Sequence, residues 1–275
     1  MNYTDRVYKS NIKQILTTGH RDNGDVRTVW ADGTPAHTVY VNQVCEHYDI
    51  SNGEFPLSRA RTVAWKAGIK EALWLYQDQS NDLDLLKDKY GITWWDSWDV
   101  GDRTIGQRYG ATVKKYDLMN KLLDGLKNNP NSRRHIISLW QEEDFETPGL
   151  NPCAFQTLWT VRGDYLDVTL VQRSNDYLVA GHINKIQYVA LQMMVAKATG
   201  YKPGRFCHFI QNLHIYDRHM DGAKELLKRF SEIDDTQPKL IFEPKSDNFY
   251  DFTIDDFRVE DYEPIKPQIK FELAI

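Results

Sequence analysis

The chain has 275 residues, a formal net charge of -5, 41% hydrophobic and 27% charged residues, an ordinary globular composition with ample length for a large core. The acidic balance excludes bulk attraction to nucleic acid or to an acidic membrane, so an anionic ligand needs a local arginine cluster. Three cysteines, Cys45, Cys153 and Cys207, fit neither a disulfide framework nor a CxxC zinc pattern, which points to a reduced, cytoplasmic setting and no metal.

Apolar spacing predicts a helix over Tyr3–Thr18, stopped by Gly19, followed by a turn-rich stretch holding Arg27. The N-terminal Met-Asn-Tyr-Thr-Asp-Arg has no apolar core, so no signal peptide is expected, and no apolar run is long enough to span a bilayer. A strand is read over 38–44 and a helix over 63–77, where Glu71 reads locally as a solvated helix-face carboxylate. A short helix is read over 81–90. Trp94, Trp95 and Trp98 then crowd before a loop, suited equally to core packing or to a platform for a flat ligand, and Tyr109-Gly110 follows. An amphipathic helix over 116–127 precedes Ser132-Arg133-Arg134-His135 and a strand over 136–140. Strands over 155–162 and 165–173 form a hairpin around Gly163-Asp164. Gly181-His182-Ile183-Asn184 opens a helix whose 185–199 stretch reads as a buried core element. Further come a strand over 206–213 leading to His214 and Tyr216, a helix over 218–230, a strand over 240–242, and a mixed tail over 251–275. No repeat or linker is read. The expectation is a single α+β domain over residues 1–275, a mixed β-sheet packed by helices with a long buried central helix.

The stretch 150–184 carries the chemistry. A thiol (Cys153), a guanidinium (Arg173), a carboxylate (Asp176) and an amide (Asn184) all sit at the ends of regular elements, where rigid backbone holds a group while loops expose it. A nearby arginine would lower the Cys153 pKa and supply thiolate at neutral pH. From residues alone two readings stand. One is a Cys–His hydrolase pairing Cys153 with His182 or His214. The other is a binding module for an anionic aromatic ligand.

Pro152-Cys153, Gln172-Arg173-Ser174-Asn175-Asp176, His182-Ile183-Asn184, Ser132-Arg133-Arg134-His135, Trp95-Asp96-Ser97-Trp98, Glu71-Ala72-Leu73-Trp74 and His214-Ile215-Tyr216 together resemble, in order and spacing, the folate-consuming, flavin-independent thymidylate synthases. So does the ending in Ala274-Ile275, and the resemblance covers essentially the whole chain. It implies reductive methylation of dUMP to dTMP, with 5,10-methylenetetrahydrofolate giving carbon and hydride and no metal taking part. It implies Cys153 as the nucleophile that adds to uracil C6, and Arg173 binding phosphate while favouring the thiolate. Glu71 would run proton transfers through water, and Tyr109 would assist proton removal from C5. Asn184 would read the uracil edge, Gln172 and Ser174 would line the nucleotide, and His214 and Tyr216 would bond the ribose. Arg27 would join the phosphate site. Arg133 and Arg134 would reach the phosphate of a neighbouring subunit, so a homodimer joined through a sheet face is implied. Asp176, Trp94, Trp95 and Trp98 would hold the folate, with Leu273, Ala274 and the Ile275 carboxylate closing over it. Arg59 and Arg61 are candidates near the folate tail.

Ala154, Asn175, Gly181-His182-Ile183 and Gln211-Asn212 depart from the family's commoner wording and alter the pocket wall without removing a catalytic group. The alternatives are a dUMP hydroxymethylase of the same fold, with water in place of hydride, and a nucleotide- or RNA-binding regulator.

Overall fold

Capping chemistry sets the first helix boundaries. In the computed structural model, which describes all 275 residues, the Asn2 side chain accepts the Asp5 N–H at 2.8 Å and opens α1 (Tyr3–Thr18). The next helix is α2 (Trp65–Tyr76). Asp82 accepts the Asp84 and Leu85 N–H groups at 2.8 and 3.0 Å, which opens α3 (Leu83–Tyr90) at a cap and not at Asn81. Then come α4 (Gly110–Lys115), too short to show in the sequence pattern, and α5 (Leu118–Asn128). The longest helix is α6 (Gly181–Thr199), ended by Gly200 in the left-handed region at φ 82. It is followed by α7 (Met220–Arg229). No helix is long and apolar enough to cross a membrane.

Seven strands form one sheet: β1 (His20–Arg21), β2 (Thr38–Asp49), β3 (Ile136–Ser138), β4 (Ala154–Arg162), β5 (Tyr165–Gln172), β6 (Asn175–Asp176) and β7 (Lys202–Tyr216). The order is β1-β2-β7-β5-β4-β3, with β6 also pairing β7. Pairings are antiparallel except β5 and β6 with β7, which are parallel. A parallel link needs a crossover, and α6 supplies it. A small antiparallel pair, β8 (Lys239–Phe242) and β9 (Phe257–Glu260), stands apart. The fold is therefore α+β with a mixed sheet, as expected. Strand β2 runs five residues beyond the stretch read from sequence and β3 stops at Ser138, two residues early. The polar Glu46 and Asp49 hid the continuation of β2.

One face of the sheet is dry. Tyr48, Val168, Leu170 and Phe206 point inward with α6 and α2 over them. The other face, carrying Cys45, His47, Leu158 and Phe209, has no helix on it and stays exposed or half-exposed. The inward face also holds an ion pair. Glu46 on β2 accepts from Lys185 Nζ at 2.7 Å, Tyr48 Oη at 2.8 Å, Tyr177 Oη at 2.8 Å and Asn11 Nδ2 at 2.7 Å. Both charged side chains are 1% exposed. Four donors on two carboxylate oxygens replace the lost hydration, and against the upward push of burial the Lys185 charge above all holds the Glu46 carboxyl down at about 2.

Removing one partner of such a pair strands the other charge in the core. Lys185→Ala is expected to destabilise the chain by about 3–5 kcal/mol in denaturant unfolding. The double change Glu46→Gln with Lys185→Met should cost much less, because no unpaired charge remains. Equal losses would show that the pair's charge is irrelevant to its packing.

Candidate active site

Cys153 sits where the loop from Leu150 enters β4, beside a register shift between Ala154 and Gln156. Bulges of this kind re-aim a side chain next to working sites. Two ties hold the loop. Arg173, just beyond β5, donates through Nε to the Pro152 carbonyl at 2.9 Å and through Nη2 to the Asn151 carbonyl at 2.8 Å. Its own N–H donates to the Cys153 carbonyl at 2.9 Å. The Cys153 N–H donates to Tyr109 Oη at 3.1 Å. Tyr109 is buried and has φ 48, a strained conformation for a non-glycine residue.

The expectation for the thiol needs correction. Arg173 and, more weakly, Arg27 do pull the Cys153 pKa down, but burial outweighs both and the net shift is upward. Arg27 itself is exposed and makes no hydrogen bond or ion pair. No histidine hydrogen-bonds the Cys153 sulfur. His182 is buried with Nδ1 on the Pro56 carbonyl at 3.0 Å, and His214 Nδ1 bonds Asn212 at 2.9 Å. Burial holds both rings neutral. The Cys–His hydrolase reading fails on this geometry.

Asn184, in the first turn of α6, is clamped from three sides. Its Oδ1 accepts from Gln172 Nε2 at 3.1 Å and Asn175 Nδ2 at 3.2 Å, and its Nδ2 donates to Gln187 Oε1 at 3.1 Å. Gln172 is fixed in turn by donation to the Ser174 carbonyl at 2.9 Å and by His208 Nε2 at 2.8 Å on its Oε1. Gly181 permits the close turn, since a Cβ there would meet the Tyr177 ring at 2.9 Å and Asn175 Oδ1 at 3.3 Å. Gln187 was not singled out from sequence. Its spacing, one helical turn after Asn184 on the same face, is the signal that could have found it.

Glu71 is not on a solvated face. It is 6% exposed, with Trp95 Nε1 donating to Oε1 at 3.0 Å. Burial raises its pKa to about 7, against the opposing hydrogen bonds of Trp95, Gln187 and Trp94. The Trp95 ring packs edge-on against Trp98 and Tyr109, with centroids 5.4 and 5.2 Å away. One tryptophan thus positions the carboxyl while Trp94 and Trp98 remain half-buried at the surface.

Asp176 ends β6 opposite His214 on β7. Its Oδ1 accepts the Leu178 and Val179 N–H groups, both at 3.2 Å, Oδ2 is unbonded, and burial raises its pKa to about 7. Tyr216 is 8% exposed and its ring lies 5.2 Å from that of His214. Ser174 keeps its hydroxyl free of protein partners. The C-terminus is docked. Ile275 exchanges backbone hydrogen bonds with Val29 at 3.0 and 2.7 Å, and Ala274 packs with Trp30 and Tyr216. Nothing in the sequence pattern announced that pairing. Arg133 and Arg134 are exposed before β3, without ion-pair partners and away from Cys153. Arg59 is engaged with Asp234, and Arg61 with the Leu178 carbonyl and the Phe271 ring.

A family model described as thymidylate synthase matches residues 6–275. The chain is 51% identical to a thymidylate synthase of Lactococcus lactis subsp. lactis and 53% identical to one of Streptococcus pneumoniae, each over 282 aligned residues and 100% of both chains. The solved structure of a thermostable thymidylate synthase A from Bacillus subtilis aligns with a TM-score of 0.92 at 38% identity, again covering 100% of each chain.

Glu71 generates a test by linkage. Between its ordinary 4.5 and about 7, the folded chain keeps a proton that the unfolded chain releases, so its contribution to stability falls as pH rises through that window. Glu71→Gln is therefore expected to raise stability at pH near 8 by about 1–3 kcal/mol while removing activity. The gain should shrink toward zero as pH approaches the unfolded value. Denaturant midpoints across pH check this, and an equal change at all pH values would contradict it.

Proposed function

The chain belongs to the thymidylate synthase family, and we propose that one catalytic domain over residues 1–275 works as a homodimer through a site centred on Cys153. The reaction is the reductive methylation of dUMP to dTMP with 5,10-methylenetetrahydrofolate. The observation that carries the site assignment is the convergence of Cys153, Arg173, Tyr109, Asn184 and Glu71 through the contacts described above.

Uracil C5 is a poor nucleophile. The Cys153 thiolate adds to C6, and the displaced electron pair makes an enolate of the C4 carbonyl, so that C5 can attack the folate methylene. Asn184 donates to O4 and accepts from N3–H, the pattern of uracil and not of cytosine. Its Oδ1 already holds two donors, so the longer bond from Asn175 is the one to yield. Glu71, poised near neutrality, supplies and recovers protons at O4 through water. Tyr109, held against the Cys153 backbone, assists loss of the C5 proton. Loss of that proton breaks the bond between the methylene and folate N5, leaving an exocyclic methylene on C5. Hydride from the freed tetrahydrofolate completes the methyl group as Cys153 leaves C6 as thiolate, giving dihydrofolate. Arg27, Arg173 and the Ser174 hydroxyl take the phosphate, Gln172 lines the base through Asn184, and His214 and Tyr216 take the ribose hydroxyl.

The folate co-substrate fits the remaining groups. Asp176 offers an unbonded Oδ2 for pterin N–H donors, and Trp98 Nε1 is buried without a partner. Trp94, Trp95 and Trp98 supply ring surface. Ala274 packs with Tyr216, and Leu273, Ala274 and Ile275 close the site against water.

Thymidylate synthases are typically homodimers. Two features support that state here. The bare sheet face carries exposed Leu158 and half-exposed Phe209, with Ile136 and Trp140 exposed at its edge. Arg133 and Arg134 also lack any partner in their own chain, and two trans guanidiniums would offset the burial that now keeps Cys153 protonated. Three free thiols suit a cytoplasmic setting.

A subunit-mixing experiment tests the arrangement. Cys153→Ser and the double change Arg133→Ala with Arg134→Ala should each lack dUMP-dependent dihydrofolate formation. Co-folded in equal amounts, they should recover about a quarter of the parent activity, because half the dimers pair one intact thiol with intact arginines in trans. No recovery in verified heterodimers would rule out sharing across the interface.

A further inference from the structure

Cys45 and Cys207 lie 162 residues apart in sequence, and their sulfurs stand 3.4 Å apart on the bare face of the sheet. His47 joins them. Two residues after Cys45 on β2, it points to the same face by strand alternation. It is also the register partner of Cys207 on β7. Its Nε2 is 3.4 Å from the Cys45 sulfur. The three donor atoms all lie within 4.8 Å of one another. None of the three belongs to the site described above.

Cysteine is among the most buried residue types, yet Cys45 and His47 are exposed and Cys207 half-buried. This is the face that the proposed homodimer covers, so it is the clustering of the three donor atoms that points to a ligand. The donor set fits one class of ligand. Zinc holds sulfur at about 2.3 Å and imidazole nitrogen at about 2.0–2.1 Å in tetrahedral geometry, so sulfur–sulfur and sulfur–nitrogen edges are about 3.6–3.8 Å. The observed spacings differ from those edges by amounts that side-chain rotation can supply. Thr169, register partner of Cys207 on β5, shares its face of the sheet.

We propose that Cys45, His47 and Cys207 form a site for one zinc ion per chain. Binding forms two zinc–sulfur bonds and one zinc–nitrogen bond, and releases the two thiol protons to solvent. The dication and two thiolates leave the site neutral, as a largely apolar sheet face requires. The fourth position points away from the sheet, toward the second copy of the proposed dimer.

The test uses cobalt(II) as the spectroscopic stand-in, added to full-length, reduced, metal-stripped protein. One equivalent per chain should produce a thiolate-to-metal charge-transfer band with tetrahedral d–d bands, and zinc should displace both. Cys45→Ser and Cys207→Ser should lose the band, whereas Cys153→Ser, which removes the only other thiol, should keep it. Dihydrofolate formation by the Cys45 and Cys207 variants shows that they are folded, and keeps this result separate from the assignment of Cys153. Absence of a stoichiometric band, its loss in Cys153→Ser, or its retention in both Cys45→Ser and Cys207→Ser would overturn the proposal.

Discussion

The Glu46 carboxylate accepts four hydrogen bonds in a place that water does not reach, and one donor is the Lys185 ammonium on α6. That bond constrains more than its own neighbourhood. The long helix is apolar on nearly every side, so hydrophobic packing alone leaves its rotation loosely defined. A buried charge pair does not tolerate such latitude, because a small rotation strands both ions. Once Lys185 is turned toward Glu46, Asn184 and Gln187, one helical turn apart on another face, are committed to the pocket. Register and rotation of one helix thereby set the amide to which the proposed chemistry assigns the base.

A second constraint is dryness. Burial raises the pKa of Glu71 and Asp176 to about 7 and pushes the Cys153 thiol up as well. Acids raised to about 7 are only partly ionised near neutral pH until ligands arrive to stabilise the charge. In the proposed dimer a nucleotide dianion, pterin donors and guanidiniums from a second chain would each supply a missing counterpart. Strain at Tyr109 and the brace from Arg173 keep the loop in place meanwhile, so that little has to reorganise during reaction.

Local signals made much of this legible. The first helix was bounded by its apolar spacing and by Gly19, and the hairpin by Gly163-Asp164. Long-range facts were not legible from residues alone. Glu71 reads as solvated until Trp95, on a different element, closes over it. Cys45, His47 and Cys207 have no motif spacing at all, since strand pairing and not sequence adjacency brings them together. Arg59 and Arg61 looked available because the partners that occupy them, Asp234 and Leu178, lie more than a hundred residues away. The resemblance supplied the reaction and the list of residues. The structure adds how each residue is held, and it corrects the sign of the shift at Cys153.

The account rests on a covalent bond between Cys153 and the pyrimidine. Mass analysis of the quenched chain, after mixing with 5,10-methylenetetrahydrofolate and dUMP bearing fluorine at C5, tests it most directly. Fluorine cannot leave C5 as a cation, so the reaction should stall with nucleotide and folate joined to the protein. The account predicts a mass gain equal to both ligands, mapped to the peptide that contains Cys153. A chain that turns over dUMP yet gains no mass, or an adduct on Cys45 or Cys207, would contradict it.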